Sequence, residues 1–356
     1  MSANRIILIV SAVLALAAIG LGIWFYSIEQ TSSSPSSSSS SGRQVWKYSI
    51  FGPPRAFTRG IERVKEILEE AGGGNFELQI HYASALVPAR EHLDAIEMGL
   101  IESGITCIGY HHRKTPLAQV LELPFLMTDD IVANAKILDA VFSHPLIEEE
   151  LARWNAKYFF SGVLPNFEFM GNRRIAGVDD LQGVRMRISG ANQTLLQMFG
   201  SVPVMVTAPE TYTALERGTI DMVGFPWTYA HGAYRLYEVS QYATDGMAMT
   251  GFACINLVSI AAWEALPEPL QALLPRLRRE AVAAMLRGYE EADAKYLPLF
   301  RKTLEVVPFP ESERRKLIAA SEQVWEQWAA EIDAQGLAGT EMLRFTKEQV
   351  AKFGNQ

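Results

Sequence analysis

The most constraining feature of this chain is a repeated switch between two hydrophobic periods. From Trp46 onward, apolar runs of strand length alternate with stretches whose apolar residues recur every three to four positions. WKYSIF (46–51) reads as a strand closed by Gly52-Pro53-Pro54. Residues 56–71 read as a helix with Ile61, Val64, Ile67 and Leu68 on one face, ended by Gly72-Gly73-Gly74. FELQIHYA (76–83) is a strand, 88–98 a helix stopped by Gly99, and GITCIG (104–109) a short strand of the buried parallel type. The pattern returns with strands at 157–164, 184–189, 202–206 and 221–227. Helices are expected at 192–199 and from the capping box Thr207-Ala208-Pro209-Glu210 to Arg217. Helical patterns fill the last third, over 268–303, 311–335 and 340–353, and the first of these is long enough to bridge two lobes. Strand, helix, strand in this order builds an α/β fold around a parallel sheet.

Ahead of this pattern, residues 6–26 form an apolar stretch without a charge, long enough to span a bilayer as a helix. Arg5 precedes it and no Lys or Arg follows until Arg43, which places everything after it outside the inner membrane. Residues 1–29 are read as an uncleaved transmembrane anchor, with a signal segment cleaved near Ala15-Leu16-Ala17 as the alternative. The Ser-rich linker 30–43 has the composition of a flexible tether, or of a low-complexity stretch with no role. A net charge of −8 argues against a nucleic-acid partner, which needs clustered Lys and Arg. Cys107 and Cys254 are too far apart in sequence for a metal or redox motif. They are read as small buried hydrophobes, a single bridge staying open in an oxidising compartment.

Catalytic signatures are missing: there is no GxSxG, P-loop, HExxH or GxGxxG. No cofactor, metal or catalytic residue is expected. His111 and His112, followed by Arg113-Lys114, read as a solvated basic loop, and Glu149 and Glu150 as a solvated helix face. What stands out is VRMRIS (184–189). Val184, Met186 and Ile188 point one way, and Arg185 and Arg187 point the other. An arginine inside a covered sheet needs an anion, and its planar fork suits a carboxylate. A structural ion pair is the ordinary reading and a bound acid the other.

The stretch NRRIAGVDDLQGVRMRISG, followed by FGSVPVMVTAPETYTALERGTIDMVGFPW, resembles the solute-binding proteins of tripartite ATP-independent periplasmic (TRAP) transporters. The matching positions are Asp180, Leu181, Gly183 and Arg187; Gly200 and Pro203; then Glu210, Tyr212, Ala214, Leu215, Gly218 and Asp221. Weaker matches lie at Arg90 through Gly99, Leu123-Pro124-Phe125-Leu126 and Trp263-Glu264-Ala265-Leu266-Pro267, so the resemblance covers nearly everything from residue 46. It implies a two-lobed periplasmic-binding-protein fold of the α/β class with a long helix spanning both lobes. Lobe I is expected over 44–165 plus 255–295, and lobe II over 166–254 plus 296–356. It also implies a periplasmic location, a ligand closed between the lobes, and a separate TRAP permease that receives it.

In the family, the arginine at the position of Arg187 grips the ligand carboxylate. By register, Phe51, Tyr110, Asn166, Phe167, Phe225, Trp227 and Asn256 are further candidates for the ligand site. Here the sequence departs from the sugar-acid binders, which place a second arginine about where Phe167 sits and polar groups near Phe51 and Phe225. The expected ligand is therefore a monocarboxylate with an apolar or aromatic body. Two rival readings stay open: a membrane-anchored ligand sensor, and a periplasmic enzyme on the same fold.

Overall fold

The structure, a computed structural model, describes residues 43–354. The apolar segment 6–26 and residues 30–42 of the Ser-rich linker lie outside the described residues. Among the described residues no helix is long and apolar enough to cross a membrane.

The chain opens with β1 (Gln44–Ser49), α1 (Arg59–Gly72), β2 (Phe76–His81), α2 (His92–Glu97) and β3 (Ser103–Cys107). α1 buries Ile61, Val64, Ile67 and Leu68, the face its periodicity defines. Then come α3 (Ile131–Phe142), capped by the Asp130 carboxylate on two backbone N–H groups, α4 (Pro145–Ala152) and β4 (Ala156–Gly162). The next group is β5 (Phe167–Gly171), β6 (Arg185–Arg187), α5 (Asn192–Met198), β7 (Val202–Pro203), α6 (Thr211–Glu216), β8 (Met222–Pro226), α7 (Tyr229–Ala233) and β9 (Tyr242–Asp245). The chain returns through β10 (Cys254–Ser259) and closes with α8 (Ile260–Glu264), α9 (Glu268–Gln271), α10 (Leu274–Thr303), β11 (Glu305–Pro308), α11 (Glu311–Asp333) and α12 (Gly339–Phe353).

These strands form two sheets, in the orders β2-β1-β3-β10-β4 and β11-β9-β5-β8-β6-β7. Each is mixed rather than purely parallel, because β10 runs antiparallel to β3 and β4, and β5 antiparallel to β8 and β9. The chain crosses between sheets from β10 to β11 through α10 and, before that, from β4 to β5 and from β9 to β10. Beside the two earlier crossings, Phe167 and Met249 form an antiparallel bridge. Gly251, at φ +89°, sits so close to the Leu123 carbonyl that an added Cβ would lie 2.2 Å from that oxygen. The long helix α10 packs on α1 and β4 at one side and on α7 and β11 at the other, so it spans both lobes. α12 lies against α3.

Several sequence expectations change. The helix over 268–303 is broken into α9 and α10, and Pro275 sits in the first turn of α10, where a missing N–H costs nothing. The expected strand 202–206 is paired only over Val202–Pro203. Cys107 and Cys254 are not free hydrophobes but a disulfide. The antiparallel register of β3 and β10 sets them directly opposite each other across a sequence separation of 147.

His111 is not part of a solvated loop: it is buried at 3% exposure, and burial pushes its imidazole down to about 4. Only His112 and Arg113 of that run are exposed. Glu150 is buried too, accepting from the Leu117 and Ala118 N–H groups at 2.7 and 3.0 Å, while Glu149 stays outside and pairs with Arg153. In both cases one neighbour faces water and the other is buried, which adjacent letters do not reveal.

Candidate functional site

The ends of β1, β3, β6 and β8 meet at a cleft with about 570 Å³ of empty space, part of it open to solvent. Its walls include Phe51, Tyr110, Phe167, Arg187 and Phe225, five of the eight residues singled out from sequence. The other three lie elsewhere. Asn166 donates to Asp129, Trp227 packs on Phe300 and His231, and Asn256 bonds to the Tyr48 hydroxyl and the Phe160 carbonyl inside the first sheet.

The alternation within β6 puts both arginines on one face, but their partners differ. Val184, Met186 and Ile188 are buried in the core cluster on the other face. Arg185 makes a two-pronged ion pair with Asp221, at 2.7 and 3.0 Å, so here the structural reading holds. Arg187 is only 4% exposed and makes no ion pair among the described residues. Its guanidinium donates to the carbonyls of Val206 (3.1 Å) and Gly224 (3.2 Å) and to the Tyr110 hydroxyl (2.9 Å). It also stacks over Phe225, 4.6 Å from the ring centroid. A buried cation held directly by dipoles and an aromatic face, with no carboxylate within ion-pair distance, keeps charge that an anion can neutralise.

Among the cleft residues that escaped the sequence reading are Arg55, Tyr234 and Glu122. Arg55 lines the cleft, donates to the Phe51 and Pro53 carbonyls, and stacks over Phe51, Phe57 and Tyr234. Tyr234 follows α7, so neither β-periodicity nor the strand ends pointed to it. Gly52, at φ +73°, lets that ring in: a Cβ there would stand 2.2 Å from the Tyr234 hydroxyl. Glu122 carried a signal that could have found it, a lone charge inside the apolar run AQVLELPFL.

Glu122 is fully buried in the cleft wall and accepts from the Ala253 N–H (2.9 Å) and the Ser189 hydroxyl (3.4 Å). Burial pushes its carboxyl up to about 7, against the opposing pull of Ala253, Gly109, Ser189 and Arg187. The folded protein thus holds this proton more tightly than the unfolded chain. Its contribution to stability is complete below the ordinary carboxylate range and is lost as pH rises through about 7. Glu122→Gln, a neutral near-isostere of the protonated acid, should melt close to the parent at pH 5 and above it at pH 8. The gain should be about 3 kcal/mol, at about 1.4 kcal/mol for each pH unit between the ordinary carboxylate value and about 7. Melting curves at both pH values check this; a difference that does not grow with pH would contradict it.

The sequence pattern of the bacterial extracellular solute-binding proteins, family 7 (DctP), matches residues 54–331. The chain belongs to this family. Among curated relatives, the monocarboxylate 2-oxoacid-binding periplasmic protein of Nostoc sp. is 28% identical over 295 residues, covering 76% of this chain and 79% of that one. A marine-metagenome TRAP solute-binding protein, specific for aromatic acid ligands and solved with metahydroxyphenylacetate, superposes with a TM-score of 0.78. It is 21% identical and covers 87% of this chain and 99% of that one. A TRAP solute-binding protein from Rhodoferax ferrireducens, solved with copurified benzoate, gives 0.75 at 21% identity, over 87% of this chain and 98% of that one. At these identities the structures establish the shared two-lobed fold. Family 7 proteins are extracellular solute-binding components of transport, and the cleft of this solute-binding protein lies where its two sheets face each other.

Proposed function

We propose that this protein captures a small organic acid with an apolar or aromatic body and delivers it to a TRAP-type membrane permease. The observation that carries the reading is Arg187, buried in the cleft wall without a carboxylate partner and flanked by Phe225 and Tyr110. A ligand carboxylate would supply the missing charge, and the aromatic walls would bury the body. Phe51, Phe167 and Phe225 give that body mostly apolar surroundings. The acids named for the Nostoc, metagenome and Rhodoferax proteins support the same class.

Closure of two lobes over the ligand is the mechanism, with 44–165 plus 255–295 as one lobe and 166–254 plus 296–356 as the other. The uncharged stretch 6–26, ahead of its Ser-rich linker, supports a periplasmic protein tethered to the inner membrane. The cleft groups serve recognition, with cations and aromatic faces for an acid, which favours a binding protein over an enzyme, and membership of an extracellular solute-binding family favours one over a sensor.

A thermal-shift screen of small carboxylates, each beside its amide, tests this. A ligand that binds only the native form raises the melting temperature. Stabilisation by an acid and not by its amide is the expected result. Stabilisation by the amides equally, or by short aliphatic dicarboxylates alone, would contradict the reading.

A further inference from the structure

The cleft residues make a closed circuit of side-chain contacts. On one side, Arg55 stacks over Phe51 (5.6 Å), Phe51 meets Tyr110 (5.9 Å), and the Tyr110 hydroxyl accepts from Arg187 (2.9 Å). On the other, Arg187 stacks over Phe225 (4.6 Å), Phe225 on Tyr234 (5.3 Å), and Arg55 over Tyr234 (5.8 Å). The cleft therefore has a cation at each pole and two aromatic rings along each side. Arg187, Phe225 and Tyr234 come from the part of the chain that builds the second sheet, and Arg55, Phe51 and Tyr110 from the part that builds the first.

The pole at Arg187 is the carboxylate subsite of the proposed function. The Arg55 pole has unused hydrogen-bonding capacity. Arg55 makes no ion pair among the described residues, and its two hydrogen bonds to the Phe51 and Pro53 carbonyls both leave from one terminal nitrogen. A guanidinium has five N–H donors, so its other nitrogens keep theirs. Beside it, the Tyr234 hydroxyl is buried without a hydrogen-bond partner. Buried polar groups in a native protein are ordinarily satisfied, so the orphaned Tyr234 hydroxyl, beside a half-buried guanidinium with donors to spare, marks a place for a ligand oxygen.

Resting on the proposed function, the geometry points to a second polar subsite made by Arg55 and Tyr234. It takes an oxygen acceptor, a hydroxyl or a second carboxylate, at the end of the ligand away from the carboxylate on Arg187. The ligand is then a flat or narrow acid with an oxygen at each end and an apolar middle. Because Arg55 and Arg187 are carried by different sheets, such a ligand bridges the two halves of the cleft, and its distal oxygen adds to closure as well as to specificity.

The test measures dissociation constants of benzoate, 3-hydroxybenzoate, 4-hydroxybenzoate and terephthalate for the parent, Arg55→Gln, Arg55→Lys, Tyr234→Phe and Arg187→Gln. The parent should prefer at least one oxygenated acid over benzoate by about tenfold or more, the size of a hydrogen bond to a charged group. Hydroxybenzoates and terephthalate distinguish a hydroxyl from a second carboxylate. Arg55→Gln should erase the preference, weakening the oxygenated acid about tenfold more than benzoate, and Tyr234→Phe should reduce it. Arg55→Lys, which keeps the cation, should retain part of it. Equal losses for benzoate and its oxygenated partners in Arg55→Gln and Tyr234→Phe would show that these residues only shape the Gly52–Pro54 turn, and would overturn the inference. So would a parent without preference; if benzoate still binds the parent and not Arg187→Gln, the acid-binding function stands and only this subsite falls. Binding of none of the four acids would overturn the inference together with the aromatic-body reading.

Discussion

Arg187→Gln is expected to abolish acid binding at concentrations that saturate the parent protein, while leaving the ligand-free fold intact. Removing one partner of a desolvated charge pair costs about 2–5 kcal/mol, so affinity should fall by roughly a hundredfold or more. Stability should behave oppositely to that of a broken ion pair. Without ligand, Arg187 is a buried cation that carbonyls, a hydroxyl and a ring hold directly, with the Glu122 and Glu210 carboxylates acting on it only from beyond ion-pair distance. Substituting glutamine removes a desolvated charge and keeps a donor, so the ligand-free melting temperature should be unchanged or higher.

Arg185→Gln is the matched control two residues away. It breaks the pair with Asp221 outside the cleft, so it should lower stability slightly and leave affinity alone. Titration calorimetry and melting curves on the two variants separate the roles. An Arg187→Gln protein that unfolds, or that binds acids as the parent does, would contradict the assignment.

The second large effect concerns the cleft wall itself. Cys107 and Cys254 both line the cleft, and their disulfide ties β3 to β10 where the chain has just returned from the second sheet. The bridge closes a loop of 147 residues. Long loops gain most from cross-linking in the chain-entropy picture, but these strands are already paired, which favours the middle of the usual range, about 3 kcal/mol. For a protein of this size that is roughly 5 °C in melting temperature. The double variant Cys107→Ser/Cys254→Ser, or the reduced parent, should melt lower by about that amount. Equal melting of the oxidised and reduced protein would show that the bridge adds nothing to the fold. A disulfide also fits a protein that works in an oxidising compartment, as an extracellular family does.

Most of the fold is legible in the alternating hydrophobic periods. α1 and β6 bury the faces that their patterns define, and the Thr207–Glu210 capping box forms, with Glu210 accepting from the Thr207 N–H and hydroxyl. Long-range consequences of pairing are not legible. The register that places Cys107 opposite Cys254 depends on β10 joining β3 in antiparallel sense, and nothing near either cysteine encodes that.

The candidate site divides along the same line. Arg187 is visible because a charge in an apolar strand breaks a local rule. Arg55 sits in a Gly-Pro-Pro turn, where a charged residue breaks no rule, and Tyr234 sits just past a one-turn helix. Asn256 looks like a site residue because it lies in a strand near the crossing, yet its side chain satisfies Tyr48 and Phe160 within the sheet. Pleat direction decides such cases, and it is fixed by partners far away in sequence.

The central claim is that Arg187 holds the ligand carboxylate between the two sheets. The most direct test is a crystal structure of residues 43–356 with the acid that most raises the melting temperature. The account predicts carboxylate oxygens at about 2.7–3.0 Å from the Arg187 guanidinium, within reach of the Tyr110 hydroxyl, with the body of the acid between the Phe51 and Phe225 rings. An acid bound with its carboxylate away from Arg187, or outside this cleft, would contradict it.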